Sequence, residues 1–182
     1  MSDVLAACER ARAASHALSI ATKAEKDRAL AAIADAIEAH GESLIAANAK
    51  DVAAAVAAGT DASIIDRLTL DAPRLQTIAA AVRDVIAIAD PVGERIREYT
   101  LPNGLHIEQI RVPMGVVAMI YEARPNVTVD AASLCLKSGN VALLRGSASA
   151  VHSNTAIADI MRDAVRATGL PSDIIQLVPG TS

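Results

Sequence analysis

Residues 112–147 read VPMGVVAMIYEARPNVTVDAASLCLKSGNVALLRGS, and this stretch decides the fold. The unbroken apolar run 116–121 predicts a strand that is buried on both faces of a parallel sheet. Pro125 precedes a predicted helix over about 126–137, and a second apolar run at 141–144 predicts another buried strand. Because both strands of such a unit end at the same edge of the sheet, we expect ligands to bind there.

Polar side chains concentrate at that edge. Glu122, Arg124 and Asn126 follow the first predicted strand, and Arg145 ends the second. We therefore expect these four residues to lie close together.

The first half of the chain is predicted to be almost entirely helical. Thr22 and Glu25 have the spacing of a capping box at the start of the second helix. In that helix an apolar stripe is formed by residues 30, 33 and 37, and Lys26 is predicted to lie off the stripe.

A β-hairpin is predicted after the helices. Extended runs at 95–101 and 105–112 flank Asn103-Gly104, which is a strong hairpin signal. The apolar residues of the second run change faces, which predicts a bulge near Gln109.

The remaining segments complete a partial sheet. A helix is predicted over about 149–168 and a third buried strand over 174–178. The fold class is therefore α/β, with a helical part (1–92), a hairpin (93–112) and a partial doubly wound parallel sheet of βαβαβ order (113–182). Because a sheet that stops after its third strand leaves an apolar edge uncovered, we expect the chain to be the N-terminal portion of a longer protein.

Composition excludes several classes of protein. The 182 residues carry a formal net charge of −4 and no Phe or Trp, so neither nucleic acid nor an acidic membrane surface is an expected partner. The chain has no predicted membrane span or signal peptide, and its cysteines, Cys8 and Cys135, indicate a reducing compartment, so we expect a cytoplasmic protein. The four histidines lack the spacing of metal ligands, and no metal site is expected.

The run IYEARPNVTVDAASLCLKSGNVALLRG (residues 120–146) resembles the γ-glutamyl phosphate reductase (glutamate-5-semialdehyde dehydrogenase) family of the aldehyde dehydrogenase superfamily. The resemblance implies a truncated aldehyde dehydrogenase-like fold and an NADPH-dependent reduction of L-glutamyl 5-phosphate in proline synthesis. It implies a homo-oligomer that forms through a flap at residues 94–112. It also implies that the catalytic cysteine comes from a later segment, so that this chain alone is inactive.

The same resemblance suggests roles for the residues after the first strand. Asn126 matches the superfamily's oxyanion-binding asparagine, although the residue alone reads at least as well as the N-cap of the next helix. Arg124 and Glu122 are candidates for binding the acyl phosphate substrate, and the alternative is an ion pair on the surface. Cys135 is interpreted as a small buried hydrophobic residue, because no neighbouring cation lowers the pKa of its thiol.

NADP(H) is the expected cofactor. In the superfamily a basic residue at the position of Arg145 reaches the adenosine ribose, and an arginine suits a 2′-phosphate. Gly146 and Ser147 are expected to contact the same group, and Gly180 and Thr181 to border the adenine; the alternative for each is ordinary turn chemistry. The first strand is not followed by G-x-G-x-x-G, which argues against an ordinary Rossmann dehydrogenase.

Two alternatives to a reductase stay open. The chain could be a catalytically inactive NADP-binding or regulatory module. It could also be an interaction module whose helical half binds a separate partner chain.

Overall fold

A computed structural model describes residues 3–178 of the chain. Its first part contains five helices joined by short turns. Thr22 caps the second helix in the predicted capping box, accepting a hydrogen bond from the backbone N–H of Glu25. Asp61 caps the fourth helix and Asp71 caps the fifth, each by the same kind of side-chain hydrogen bond. The helices are α1 (Asp3–Ser19), α2 (Lys23–Ala39), α3 (Gly41–Ala57), α4 (Ala62–Leu68) and α5 (Ala72–Ala87).

The predicted hairpin is present as β1 (Arg95–Thr100) and β2 (His106–Ile110), which pair in antiparallel orientation. Its register shifts between Arg95 and Arg97, opposite Ile110 and Gln109. The irregularity therefore lies where the sequence predicted it, but the extra residue belongs to β1. Almost every residue of both strands is exposed.

A three-stranded parallel sheet follows, with the strands in the order of the chain. Its register pairs Ile120 with Arg145, which brings the ends of the first two strands together. The elements are β3 (Val116–Ile120), α6 (Asn126–Lys137), β4 (Val141–Arg145), a 3-10 turn (Ala148–Ala150), α7 (Val151–Ala167), a second 3-10 turn (Ser172–Ile174) and β5 (Ile175–Leu177).

The central strand β4 is covered on both faces. Helix α1 packs along β4, and its buried residues are the small Ala7, Ala11 and Ala14 together with Leu18. Helices α6 and α7 also pack on the sheet and contact α2, α3 and α5 behind them. One hydrophobic core therefore extends from the helical half into the sheet.

Strand β3 differs from its prediction. It was expected to be buried on both faces, but Met119 is 40% and Ile120 is 81% exposed. The reason is its position: β3 is the edge strand of the described sheet, and α1 lies chiefly on β4. An apolar run predicts that a strand is covered, but it cannot say which segment covers it.

Lys26 was wrongly placed off the apolar stripe. It lies four residues before Leu30, on the same face of α2, and is 1% exposed. The end of α5 brings Asp90 within 2.7 Å of its ammonium group. A second buried lysine, Lys137, donates to Asp27 Oδ1 at 2.7 Å and to the Ile86 carbonyl at 2.9 Å, so it connects α6 with α2 and α5.

Candidate active site

The loops that follow β3 and β4 lie side by side at the carboxyl edge of the sheet. The Tyr121 N–H donates to the Arg145 carbonyl at 3.0 Å. The Ala123 N–H donates to Ser147 Oγ at 3.3 Å. The polar residues after the first strand are therefore next to those after the second, at the edge where open α/β sheets bind ligands.

Asn126 is the first residue of α6, and its side chain does not cap the helix. Pro125 occupies the N-cap position, and no side-chain cap hydrogen bond forms there. Instead, Asn126 Nδ2 donates to Asp130 Oδ2, one turn further on, at 3.0 Å. The amide group has two N–H bonds, so this contact orients the group and leaves the second N–H for another acceptor.

Asp130 is a half-buried acid whose position had no functional prediction. Burial raises the pKa of its carboxyl group, although the hydrogen bond from Asn126 opposes that change. The i, i+4 spacing of an amide and a carboxylate in one helix is the signal that sequence reasoning missed.

A cavity of about 280 Å³ opens between Asn126 and helices α4 and α5. Its walls combine buried apolar residues with two arginines and an aspartate. They are formed by Asp66, Arg67, Thr69, Leu70, Arg74, Thr77, Ile78 and Asn126.

A second depression, of about 180 Å³, lies at the carboxyl ends of β4 and β5. It is lined by Gly146, Ser147, Ala148, Val151, Asn154, Thr155, Leu177 and Val178. The predicted oxyanion residue and two of the predicted cofactor residues therefore line two different cavities, although the loops that carry them are in contact.

Gly146 packs against the start of α7. A Cβ atom at this position would lie 2.0 Å from Asn154 Nδ2 and 3.4 Å from Tyr121 Cε2. Asn154 is held in place, because its Oδ1 accepts from Thr128 Oγ1 at 3.1 Å, and Thr128 in turn contacts the Tyr121 hydroxyl at 2.7 Å. The absence of a side chain at Gly146 therefore lets the backbone come close to both α7 and the depression.

The other predicted site residues occupy the same edge. Glu122 and Arg124 are exposed, and within residues 3–178 they do not form the ion pair that was the alternative interpretation. Arg145 is partly exposed at the end of β4. The predictions for Gly180 and Thr181 lie outside the described residues.

Cys135 is partly buried in α6, and burial raises the pKa of its thiol. This disfavours the thiolate that a nucleophile requires, in agreement with its interpretation as a packing residue.

Two other features of the described residues are weaker candidates for a ligand-binding site. Glu98, His106 and Glu108 bring ligand atoms within 4.8 Å of one another on the hairpin, but all three are exposed and Arg95 already contacts Glu108 at 3.3 Å. A larger cavity of about 560 Å³ lies between α2, α3 and α5, and its two charged lining residues are Glu38, which Arg83 already pairs with, and Glu42. Within residues 3–178, no helix has both the length and the apolar character needed to cross a membrane.

The chain belongs to the aldehyde dehydrogenase family, whose sequence profile matches residues 1–182. The α/β fold with its hairpin and parallel sheet is aldehyde dehydrogenase-like. A γ-glutamyl phosphate reductase from Thermobifida fusca is 54% identical over 180 residues, which cover 99% of this chain and 43% of the relative. The chain therefore spans less than half the length of this curated relative.

Solved structures agree with the sequence comparison. The crystal structure of a γ-glutamyl phosphate reductase from Thermotoga maritima is 38% identical, with a TM-score of 0.97, over 100% of this chain and 44% of the other. A glyceraldehyde-3-phosphate dehydrogenase from Methanocaldococcus jannaschii, complexed with NADP, has a TM-score of 0.71 over 100% of this chain and 37% of the other. At 19% identity it shows the fold alone.

Proposed function

We propose that this chain forms the N-terminal part of a γ-glutamyl phosphate reductase. The proposed reaction reduces L-glutamyl 5-phosphate to L-glutamate 5-semialdehyde, with release of phosphate and with NADPH as the reductant. One observation carries this proposal: the Asn126 amide is oriented by Asp130 at the edge of a cavity. The chain that contains it is 54% identical to a named reductase.

Asn126 acts on the oxygen of the acyl group. Its free amide N–H donates to that oxygen as negative charge develops on it, and a preoriented donor stabilises the transition state more than the ground state. Asp130 is a positioning residue, since its contact with Nδ2 fixes the direction of the amide. Arg124 binds the phosphate or carboxylate of the substrate, and Glu122 contributes to the same end of the site.

The depression at Gly146 and Ser147 suits one part of a dinucleotide, such as its adenosine ribose, because backbone without a side chain and a hydroxyl lie at the carboxyl edge of a parallel sheet. The cofactor, when bound, supplies the hydride. Arg145 pairs with the 2′-phosphate that distinguishes NADP from NAD. Ser147 also ties the β3 loop to the β4 loop, so it couples the cofactor side to the substrate side.

The nucleophilic cysteine is proposed to lie outside these 182 residues, as the family resemblance implies. Cys8 is in α1, away from the candidate edge, and the raised pKa of Cys135 argues against a thiolate there. Both cysteines are free, which supports a cytoplasmic location. The chain alone is therefore expected to bind NADP(H) without turnover. The alternative function, an inactive cofactor-binding module, predicts the same result for the isolated chain.

A hybrid enzyme tests the proposal. The 182 residues replace the matching segment of the Thermobifida fusca reductase, and both the hybrid and the isolated chain are assayed with NADP⁺, phosphate and glutamate 5-semialdehyde at 340 nm. We expect turnover from the hybrid and none from the isolated chain. A hybrid with the circular dichroism spectrum of the parent and no turnover would contradict the reductase assignment. Turnover by the isolated chain would contradict the proposal that the nucleophilic cysteine lies outside these 182 residues.

The hairpin is proposed to be an oligomerisation flap. Ile96, Leu105 and Ile110 are each more than half exposed on it. Exposed apolar side chains on a two-stranded ribbon indicate a partner surface. Light scattering is expected to give an oligomer for the hybrid and a smaller species for its Ile96→Asp variant; an unchanged mass would exclude this role.

A further inference from the structure

The cavity beside Asn126 has charged groups that the chemistry at the acyl carbon does not require. Asp66 and Arg67 both line it, at the end of α4 that faces α5. Buried Leu70 and Ile78 form its apolar wall. A pocket for a simple aldehyde needs only the apolar wall, whereas an arginine in the lining matches a ligand that carries a carboxylate.

The two arginines of the cavity have different roles. Arg74 donates to the Thr69 carbonyl at 2.8 Å and to Asp66 Oδ1 at 2.6 Å, so its guanidinium is occupied in holding the turn between α4 and α5. Arg67 is exposed at the cavity and has no ion pair within the part of the chain that the structure describes. Its guanidinium is the cation available to a ligand.

We propose that this cavity binds the amino-acid end of the substrate, with Arg67 holding the α-carboxylate. This inference rests on the proposed function. When the acyl carbon is at Asn126, the remaining carbon atoms of a glutamyl chain extend away from it, and a cavity of about 280 Å³ accommodates them. A guanidinium binds a carboxylate through two parallel hydrogen bonds, so Arg67 selects the substrate by its geometry as well as its charge.

The test compares two aldehydes that differ only in the α-carboxylate. Glutamate 5-semialdehyde carries it, and 4-aminobutanal does not. In the hybrid enzyme, Arg67→Met is expected to lower kcat/KM for the semialdehyde by about 10- to 100-fold, chiefly through KM, because a charged hydrogen-bonded contact is lost. The value for 4-aminobutanal and the KM for phosphate are expected to stay unchanged.

Two further variants complete the experiment. Arg67→Lys, which keeps the charge but not the paired geometry, is expected to give an intermediate loss. Arg166→Gln is the matched control, because it removes an exposed arginine from the last turn of α7, away from the cavity, and is expected to change nothing. An equal loss with both aldehydes, or no loss, would overturn the inference while the hybrid's own turnover still supports the reductase. A hybrid without turnover would count against the proposed function itself.

Discussion

Replacing Gly146 with alanine tests how the cofactor edge is built. The new Cβ would lie 2.0 Å from Asn154 Nδ2, so Asn154 must move by about 1.4 Å to reach the 3.4 Å of ordinary van der Waals contact. Asn154 is 2% exposed, and its Oδ1 is held by the hydrogen bond from Thr128 Oγ1. Its displacement breaks the contact with Thr128 Oγ1, and with it the link to the Tyr121 hydroxyl.

The cost follows from these contacts. Overpacking a filled core costs about 1–3 kcal/mol, and each weakened hydrogen bond between neutral buried groups adds about 1 kcal/mol. We expect Gly146→Ala to lower the free energy of unfolding by about 3 kcal/mol. In a chain of this size the Tm then falls by about 6–12 °C.

Thermal unfolding followed by circular dichroism at 222 nm measures this change. Gly41→Ala is the control, because its Cβ would meet Leu75 Cδ1 at an ordinary 3.7 Å, and its Tm is expected to be unchanged or slightly higher. Asn154→Ala removes the atom that would clash. Adding Gly146→Ala to the Asn154→Ala variant is therefore expected to lower the Tm by less than Gly146→Ala lowers it in the parent. A Tm for Gly146→Ala within 1 °C of the parent would refute the reasoning.

Three other predictions follow from the buried polar groups. Lys137→Met is expected to cost about 2–4 kcal/mol in urea unfolding, because the Asp27 carboxylate and the Ile86 carbonyl lose a buried donor; an unchanged midpoint would contradict the contact. Burial alone would raise the pKa values of Asp27 and Asp90, but hydrogen bonds from Lys137 and Lys23 to Asp27, and from Lys26 and the Val92 N–H to Asp90, together with the lysine charges, lower both pKa values. A carboxylate with a lower pKa in the folded state stabilises above its unfolded pKa and loses that effect as pH falls, so the urea midpoint should fall steeply below about pH 4; a flat profile would oppose this. Because burial raises the pKa of Cys135, iodoacetamide at pH 8 is expected to label it more slowly than free cysteine, and equal rates by mass spectrometry would show that the thiol is accessible and unperturbed.

The elements of this fold could be predicted because their signals are local. The capping box at Thr22, the Asn103-Gly104 turn and the apolar run of β4 each depend on a few neighbouring residues. The contact of the β3 and β4 loops also followed from sequence order, since parallel strands joined by a helix end at one edge.

Features that depend on distant packing could not be predicted. Lys26 is buried only because the end of α5 brings Asp90 to it, 64 residues along the chain. Ile120 is exposed because no described segment covers that end of β3. The apolar run predicts a strand but not which segment packs on it. The partner of Asn126 is local but was missed, because a helix start favours capping as the first explanation for asparagine.

The separation of the two cavities is likewise a tertiary property. Asn126 and Gly146 were expected to share one edge, and their loops do touch. However, α4 and α5 close a cavity around Asn126 while α7 borders the depression at Gly146. Sequence order sets the edge, whereas the packing of helices from the first half of the chain divides it.

The role of Asn126 as the oxyanion donor is the central claim, and one measurement tests it most directly. In the hybrid enzyme, Asn126→Ala is expected to lower kcat by about 10²–10³-fold, as loss of a preoriented oxyanion donor does, while the Kd for NADPH measured by fluorescence titration stays the same. A folded Asn126→Ala hybrid that retains the parental kcat would contradict the account.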